Sequence, residues 1–183
     1  VIKTSEDAPV AVGQLGRLVA EAGFPPGVVN IVHGMGAEAG AALTAHPDVS
    51  KISFTGSTGV GRIIAREAAA SFKRVTLELG GKAAQILLQD ANLDEAIPGV
   101  AMGLFVNQGQ TCAAGSRILV HRSLLPQVEQ ALAAAAESVR LGGAQVEGAQ
   151  MGALISARHR ERVQACIDTA ISQGARRDRK SVV

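Results

Sequence analysis

The chain has 183 residues, 47% of them apolar and 19% charged, a balance that fits a soluble globular protein and excludes a disordered one. The formal net charge is +2, and Arg176, Arg177, Arg179 and Lys180 crowd one end, so the body is close to neutral and offers nucleic acid no basic face. Aromatic residues make up 2%, with no Trp or Tyr, which argues against a base-stacking platform and a membrane-interface belt.

The first element is a helix. Leu15, Leu18, Val19 and Ala22 fall at i, i+3, i+4 and i+7 on one face, and Gly23 with Pro25-Pro26-Gly27 closes it. Residues 28–32, VVNIV, read as a short buried strand, followed by a small-residue helix over 37–45 that Pro47 ends. A strand at 51–54 runs into a glycine-rich loop, then come a helix over 63–72, a strand at 75–79 and another at 85–88. The pattern Asn92-Leu-Asp-Glu95 is a capping box that opens a helix through residue 106, with Pro98 inside it as an expected kink. A strand at 117–121 and helices over 125–139 and 157–171 complete the series. Strands alternating with helices of this length predict an α/β fold of βαβ units with a mainly parallel sheet. No apolar run nears the roughly 18 residues of a membrane span, and the opening VIKTSED has no signal-peptide pattern.

Two strand-to-helix loops carry glycine signals. His33-Gly34-Met35-Gly36-Ala37-Glu38-Ala39-Gly40 has spaced glycines that would let a helix N-terminus approach a pyrophosphate, yet no acidic residue follows at the expected distance. Thr55-Gly56-Ser57-Thr58-Gly59 puts a bare backbone and a hydroxyl at a helix start, which suits either an anionic phosphate or a tight capped turn. It is not a Walker A loop, since no Lys follows. Leu77-Glu78-Leu79-Gly80-Gly81-Lys82 ends a strand with a carboxylate. Burial there would raise its pKa and prepare it as a general base, whereas a solvated Glu78 paired with Lys82 would be merely structural.

Cys112 lies in NQGQTCAAGSR, residues 107–117, among small residues that leave a thiol accessible. The only other cysteine, Cys166, is distant, and no CxxC, HExxH or clustered His supplies metal ligands. With no disulfide framework, a reducing cytoplasm is the expected compartment. Cys112 taken alone reads as a buried structural thiol or as a nucleophile.

Three pieces in order, ISFTGSTGVGR, VTLELGGK and NQGQTCAAGSR, resemble the aldehyde dehydrogenase superfamily, and the 34 positions from Glu78 to Cys112 fit its spacing. IKTSE, EAGFPPGVVNIVHG, DANLDEA and MGALIS resemble family segments too, so the similarity covers about residues 1–175. The resemblance implies that Cys112 is the catalytic nucleophile, forming a thiohemiacetal and then a thioester, and that Glu78 activates the water that hydrolyses it. It implies NAD as cofactor, with Lys3 and Glu6 at the adenosine ribose, Gly36 near the adenine side, Gly56 and Ser57 at the diphosphate and Leu79 near the nicotinamide end. Glu6 favours NAD over NADP, because its carboxylate repels a 2′-phosphate.

The pattern departs from the family's at Gly59, often Glu there, and at Ala83-Ala84-Gln85, where Ser-Pro-Asn is common. The family's upstream Pro-Trp-Asn and downstream Glu-x-Phe-Gly-Pro segments are absent. The expected organisation is therefore the end of a Rossmann-like NAD-binding domain over 1–80, the start of an α/β catalytic domain over 81–175, and a basic tail at 176–183 foreign to the fold. The chain is expected to be a central fragment with little activity alone, from a homodimeric or homotetrameric enzyme acting on a small-molecule aldehyde. A CoA-acylating relative and a non-catalytic module of the same fold are the alternatives.

Overall fold

Three of the helices each carry the backbone from one strand back to start its parallel neighbour, the connection that parallel pairing requires. The computed structural model describes residues 1–176, and the chain divides into two units, the first ending at Gly80 and the second beginning at Gly81. Residues 177–183, most of the expected basic tail, lie outside the described residues.

In the first unit, β1 (Ile2–Lys3) pairs in parallel with β2 (Ile31–Val32), and α1 (Val10–Glu21) lies between them in sequence. The chain then makes one π-helical turn at Gly36–Gly40 that passes directly into α2 (Ala41–Ala45). Strand β3 (Lys51–Gly56) pairs with β4 (Arg74–Leu79) through α3 (Thr58–Ala70), in a register that sets Thr55 opposite Glu78 and Gly56 opposite Leu79. Ile64 and Ala68 on the inner face of α3 are buried. Lys73 is also buried, at 9% exposure, and its ammonium donates to the carbonyl oxygens of Thr44 (2.7 Å) and His46 (2.6 Å). A cation there satisfies carbonyls that the end of α2 leaves without intrahelical partners and complements its dipole.

In the second unit, β5 (Ala84–Leu87) and β6 (Arg117–Val120) pair in parallel, with α4 (Leu93–Phe105) between them, and α5 (Leu125–Ser138) and α6 (Ala157–Ser172) follow. Leu87, Val100 and Val128 form the buried core, with Leu93, Ile97, Ile118 and Val120 packed around them. The other face of the strand pair carries Ile86 opposite Leu119, both exposed. Asn92 caps α4 by accepting from the Asp94 N–H (3.1 Å). The helix continues through Pro98, whose missing N–H costs one bond without ending it.

Several boundaries differ from the sequence reading. Residues 28–30 are not strand: Val28 N–H donates to Pro25 O, Asn30 Nδ2 donates to Gly27 O, and only 31–32 pair with a neighbouring strand, although the Asn30 carbonyl accepts from Ile2 N–H (2.7 Å). That partner, β1, is too short to carry a sequence signal. Helix α3 begins at Thr58, five residues before the expected start, because the Ser57 hydroxyl accepts from Val60 N–H (3.3 Å) and opens the helix there.

Phe72, just past α3, sits at φ 53° with 96% of its surface exposed. A bulky residue held left-handed costs about 1 kcal/mol or more, and no buried contact offsets it. Phe72→Gly is expected to raise the unfolding temperature by about 2–4 °C, measured by differential scanning calorimetry; an unchanged or lower temperature would show that the Phe72 ring stabilises the turn.

Candidate active site

The first unit contains a cleft of about 820 Å³, within the range of small-molecule sites. Four of the residues singled out in the sequence, Lys3, Glu6, Gly36 and Gly56, line it together. Lys3 ends β1, and Glu6 in the turn that follows forms an ion pair with it at 3.0 Å. A Cβ on Gly36 would stand 3.9 Å from Glu6 Oε1 and 4.0 Å from Lys3 Nζ, so this glycine faces the charged pair directly. A hydrogen bond from its own backbone N–H, then the Lys3 ammonium, hold the Glu6 carboxyl below its ordinary value; the Gly36 N–H acts in the same direction, and desolvation opposes it. A depressed carboxyl gives its full stabilisation above the ordinary value near 4.5 and loses it as pH falls through the lower folded-state value.

Gly56 ends β3 and Ser57 caps α3, so the loop between them brings a helix N-terminus to the cleft. The Ser57 hydroxyl is engaged by Val60 N–H, while the first-turn N–H groups of the helix have no intrahelical acceptor and favour an anion. Neither Ser57 nor Leu79 borders the cleft as Gly56 does; the Leu79 side chain is packed against Gly61, where an added Cβ would lie 2.7 Å from it.

Glu78 stands at the carboxyl end of β4, opposite Thr55, as its sequence position predicts. The burial that would prepare it as a base is not present: Glu78 is exposed, and it forms no ion pair with a described residue. The alternative partner, Lys82, lies in the second unit and donates to Gly81 O (3.1 Å).

Cys112 belongs to the second unit and is exposed, which removes the reading of a buried filler. Its loop is held at both ends. On the N-terminal side Asn107, Gln108 and Gly109 adopt successive left-handed conformations (φ 51°, 56° and 70°), a strained turn that persists only where its surroundings over-determine it. Those surroundings are visible: Asn107 Nδ2 donates to Gln110 O (3.1 Å), and Gln110 Oε1 accepts from Ile155 N–H (3.0 Å), 45 residues away. On the C-terminal side Ala114 is buried, and Gly115 N–H donates to Gly103 O on α4 (3.0 Å). Among the described residues, no group of three or more His, Cys, Asp or Glu is placed to hold a metal ion, and no helix is long and apolar enough to cross a membrane.

Sequence reasoning missed the residues that support these loops: Lys73 behind α2, Gln110 bonded to Ile155, and Gln85, whose amide reaches Gly115 O (2.9 Å) and Val100 O (3.2 Å). Their partners are distant in sequence, and no local pattern marks them.

Comparison with known proteins gives one answer. The chain is 45% identical over 175 residues to phenylacetaldehyde dehydrogenase from Pseudomonas fluorescens, and 44% identical over 178 residues to aldehyde dehydrogenase 1A1 from Gallus gallus. Each alignment covers 96% of this chain and 35% of the relative, so the chain spans about a third of their length. An NAD⁺ complex of an aldehyde dehydrogenase from Bacillus cereus superposes with a TM-score of 0.92 at 46% identity, over 94% of this chain and 35% of that one. The sequence pattern described as the aldehyde dehydrogenase family matches residues 1–177. The chain belongs to the aldehyde dehydrogenase family.

Proposed function

We propose that this chain is the central segment of an enzyme that oxidises an aldehyde to a carboxylic acid with NAD, using Cys112 as nucleophile and Glu78 as general base. The observation that carries the cofactor half is the convergence of Lys3, Glu6, Gly36 and Gly56 on one cleft. The segment reading is supported by the share of the relatives' length that the chain spans and by the exposed apolar pair Ile86 and Leu119 on β5–β6, a surface that favours being covered.

The residues at the cleft fit a dinucleotide. Glu6, kept ionised by its own N–H and by Lys3, accepts hydrogen bonds from a ribose diol, and Lys3 sits beside it as donor. Gly56 ends β3 with the Phe54 ring against the face a side chain would occupy, and the α3 N-terminus favours the diphosphate charge. NAD, when bound, supplies the acceptor for the hydride lost by the aldehyde carbon. Cys112 holds that carbon: its thiolate adds to the carbonyl, and the thioester left after oxidation keeps the acyl group on the sulfur. Glu78 then takes a proton from the water that attacks the thioester, releasing the acid and restoring the thiol.

The test of the cofactor assignment is a comparison of NAD with NADP in the full-length enzyme. The wild type is expected to prefer NAD, and Glu6→Ser to lower the ratio of kcat/KM for NAD over NADP by roughly tenfold, since one like-charge repulsion near the ribose is removed. A ratio unmoved by Glu6→Ser would detach Glu6 from the ribose.

A further inference from the structure

Gln85 occupies a position that Cys112 chemistry does not require of it directly, yet its side chain joins three elements. It lies on β5, paired with Ile118 of β6. Its Nε2 donates to two backbone carbonyls, Val100 O within α4 (3.2 Å) and Gly115 O in the loop that carries Cys112 (2.9 Å). Two glycines make room for it. A Cβ on Gly103 of α4 would stand 3.2 Å from Gln85 Oε1, and a Cβ on Gly115 would stand 2.5 Å from its Cγ, Cδ and Nε2, closer than any side chain can sit. Gly115 is thus fixed twice: its N–H donates to Gly103 O (3.0 Å) and its carbonyl accepts from Gln85.

We propose that Gln85 is a positioning residue for Cys112, an amide strut between α4 and Gly115 that sets where the loop holds the thiol. The proposal rests on the reading of Cys112 as the nucleophile. Gly115 is three residues beyond Cys112, and Ala114 between them is buried, so a shift of the Gly115 carbonyl passes to the sulfur with little slack. The N-terminal side of the loop has its own anchor through Gln110 and Ile155. Losing Gln85 therefore leaves Gly115 held by its N–H to Gly103 O alone, so its carbonyl can shift while the other end of the loop stays held. Displacement of a nucleophile by about 1 Å costs on the order of a hundredfold in rate, because the reacting atoms leave their near-attack geometry.

The experiment uses the full-length enzyme with Gln85→Met, which fills the space between the two glycines but donates nothing, and Gln85→Asn, which keeps the amide on a stem one methylene shorter. NADH formation in the first turnover is followed by stopped flow at saturating NAD and aldehyde, and active sites are counted by stoichiometric alkylation of Cys112. Both variants are expected to lower the first-turnover rate constant per active site by roughly tenfold to a hundredfold, with the number of active sites and the Kd for NAD retained. A rate constant per site equal to wild type, whether or not sites are lost, would overturn the proposal, since a merely structural role removes sites without slowing those that remain. Cys112→Ala separates the two readings: if it keeps first-turnover activity, the nucleophile assignment fails; if it loses activity while the Gln85 variants match wild type per site, only the strut fails.

Discussion

Cys112→Ala is expected to abolish aldehyde oxidation by the full-length enzyme, with a loss on the order of 10⁴-fold or more, while the NAD Kd and the unfolding temperature stay close to wild type. The size follows from the role: without a sulfur to carry the acyl group, one hard oxidation can no longer be split into two easier steps. The selectivity follows from the structure, in which Cys112 is exposed, its loop is anchored on both flanks, and the thiol itself is no part of the buried core. Cys166 is the internal control. It lies on α6, is also exposed, and takes no part in the Cys112 loop, so Cys166→Ala is expected to leave kcat unchanged. Steady-state NADH production by the two variants decides: a loss that follows Cys166 instead of Cys112 would refute the assignment.

Glu78→Gln is expected to slow release of the product while sparing its formation on the enzyme. The amide keeps the size of the side chain but cannot accept a proton from water, which for a general base costs about 10²–10⁴-fold. First-turnover NADH should form at nearly the wild-type rate, and turnover should then stall. Rapid-quench and steady-state measurements on the same preparation separate the two phases. The wild type should turn over without CoA; a requirement for CoA would move the enzyme to the acyl-transfer branch and leave Glu78 without its water. Glu78 is exposed in this chain, and its position at the carboxyl end of β4, beside Thr55 and Gly56 of β3, is where parallel sheets present ligand-binding groups.

The parts of the molecule legible in the sequence are those whose cause is local. Leu15, Leu18 and Val19 mark α1 because helical period is written in adjacent turns. Asn92 marks the start of α4 because its cap partner is two residues away. The parallel pairs were implied by alternation alone, and β3–β4 and β5–β6 formed as the apolar runs at 51–54, 75–79 and 85–88 suggested. The two-residue β1 was invisible, since its existence depends on a partner 29 positions away. VVNIV is rich in β-formers, yet Gly27, in left-handed conformation, and the Asn30 side chain hold residues 28–30 in a turn.

The candidate site divides in the same way. Gly56, Glu78 and Cys112 stand in local patterns that leave a structural reading open, and the resemblance to a family, not residue chemistry alone, singles them out together with Lys3, Glu6 and Gly36. Gln85, Gln110 and Lys73 hold the loops and the cleft wall through hydrogen bonds to distant carbonyls and amides. A glutamine amide or a lysine that bonds backbone groups leaves no local pattern to read, because the partner is defined by the fold. The exposure of Glu78 was likewise not readable, since strand alternation sets which face a residue occupies and not what covers that face.

The most direct test of the account is the mass of the Cys112 peptide after the full-length Glu78→Gln enzyme is mixed with NAD and an aldehyde, quenched in acid and digested. An acyl group is expected on Cys112, with the thiol hydrogen replaced by the acyl form of that aldehyde, in near-stoichiometric amount and dependent on NAD. An unmodified Cys112 peptide, or the same adduct on Cys166, under conditions where NADH has formed would contradict it.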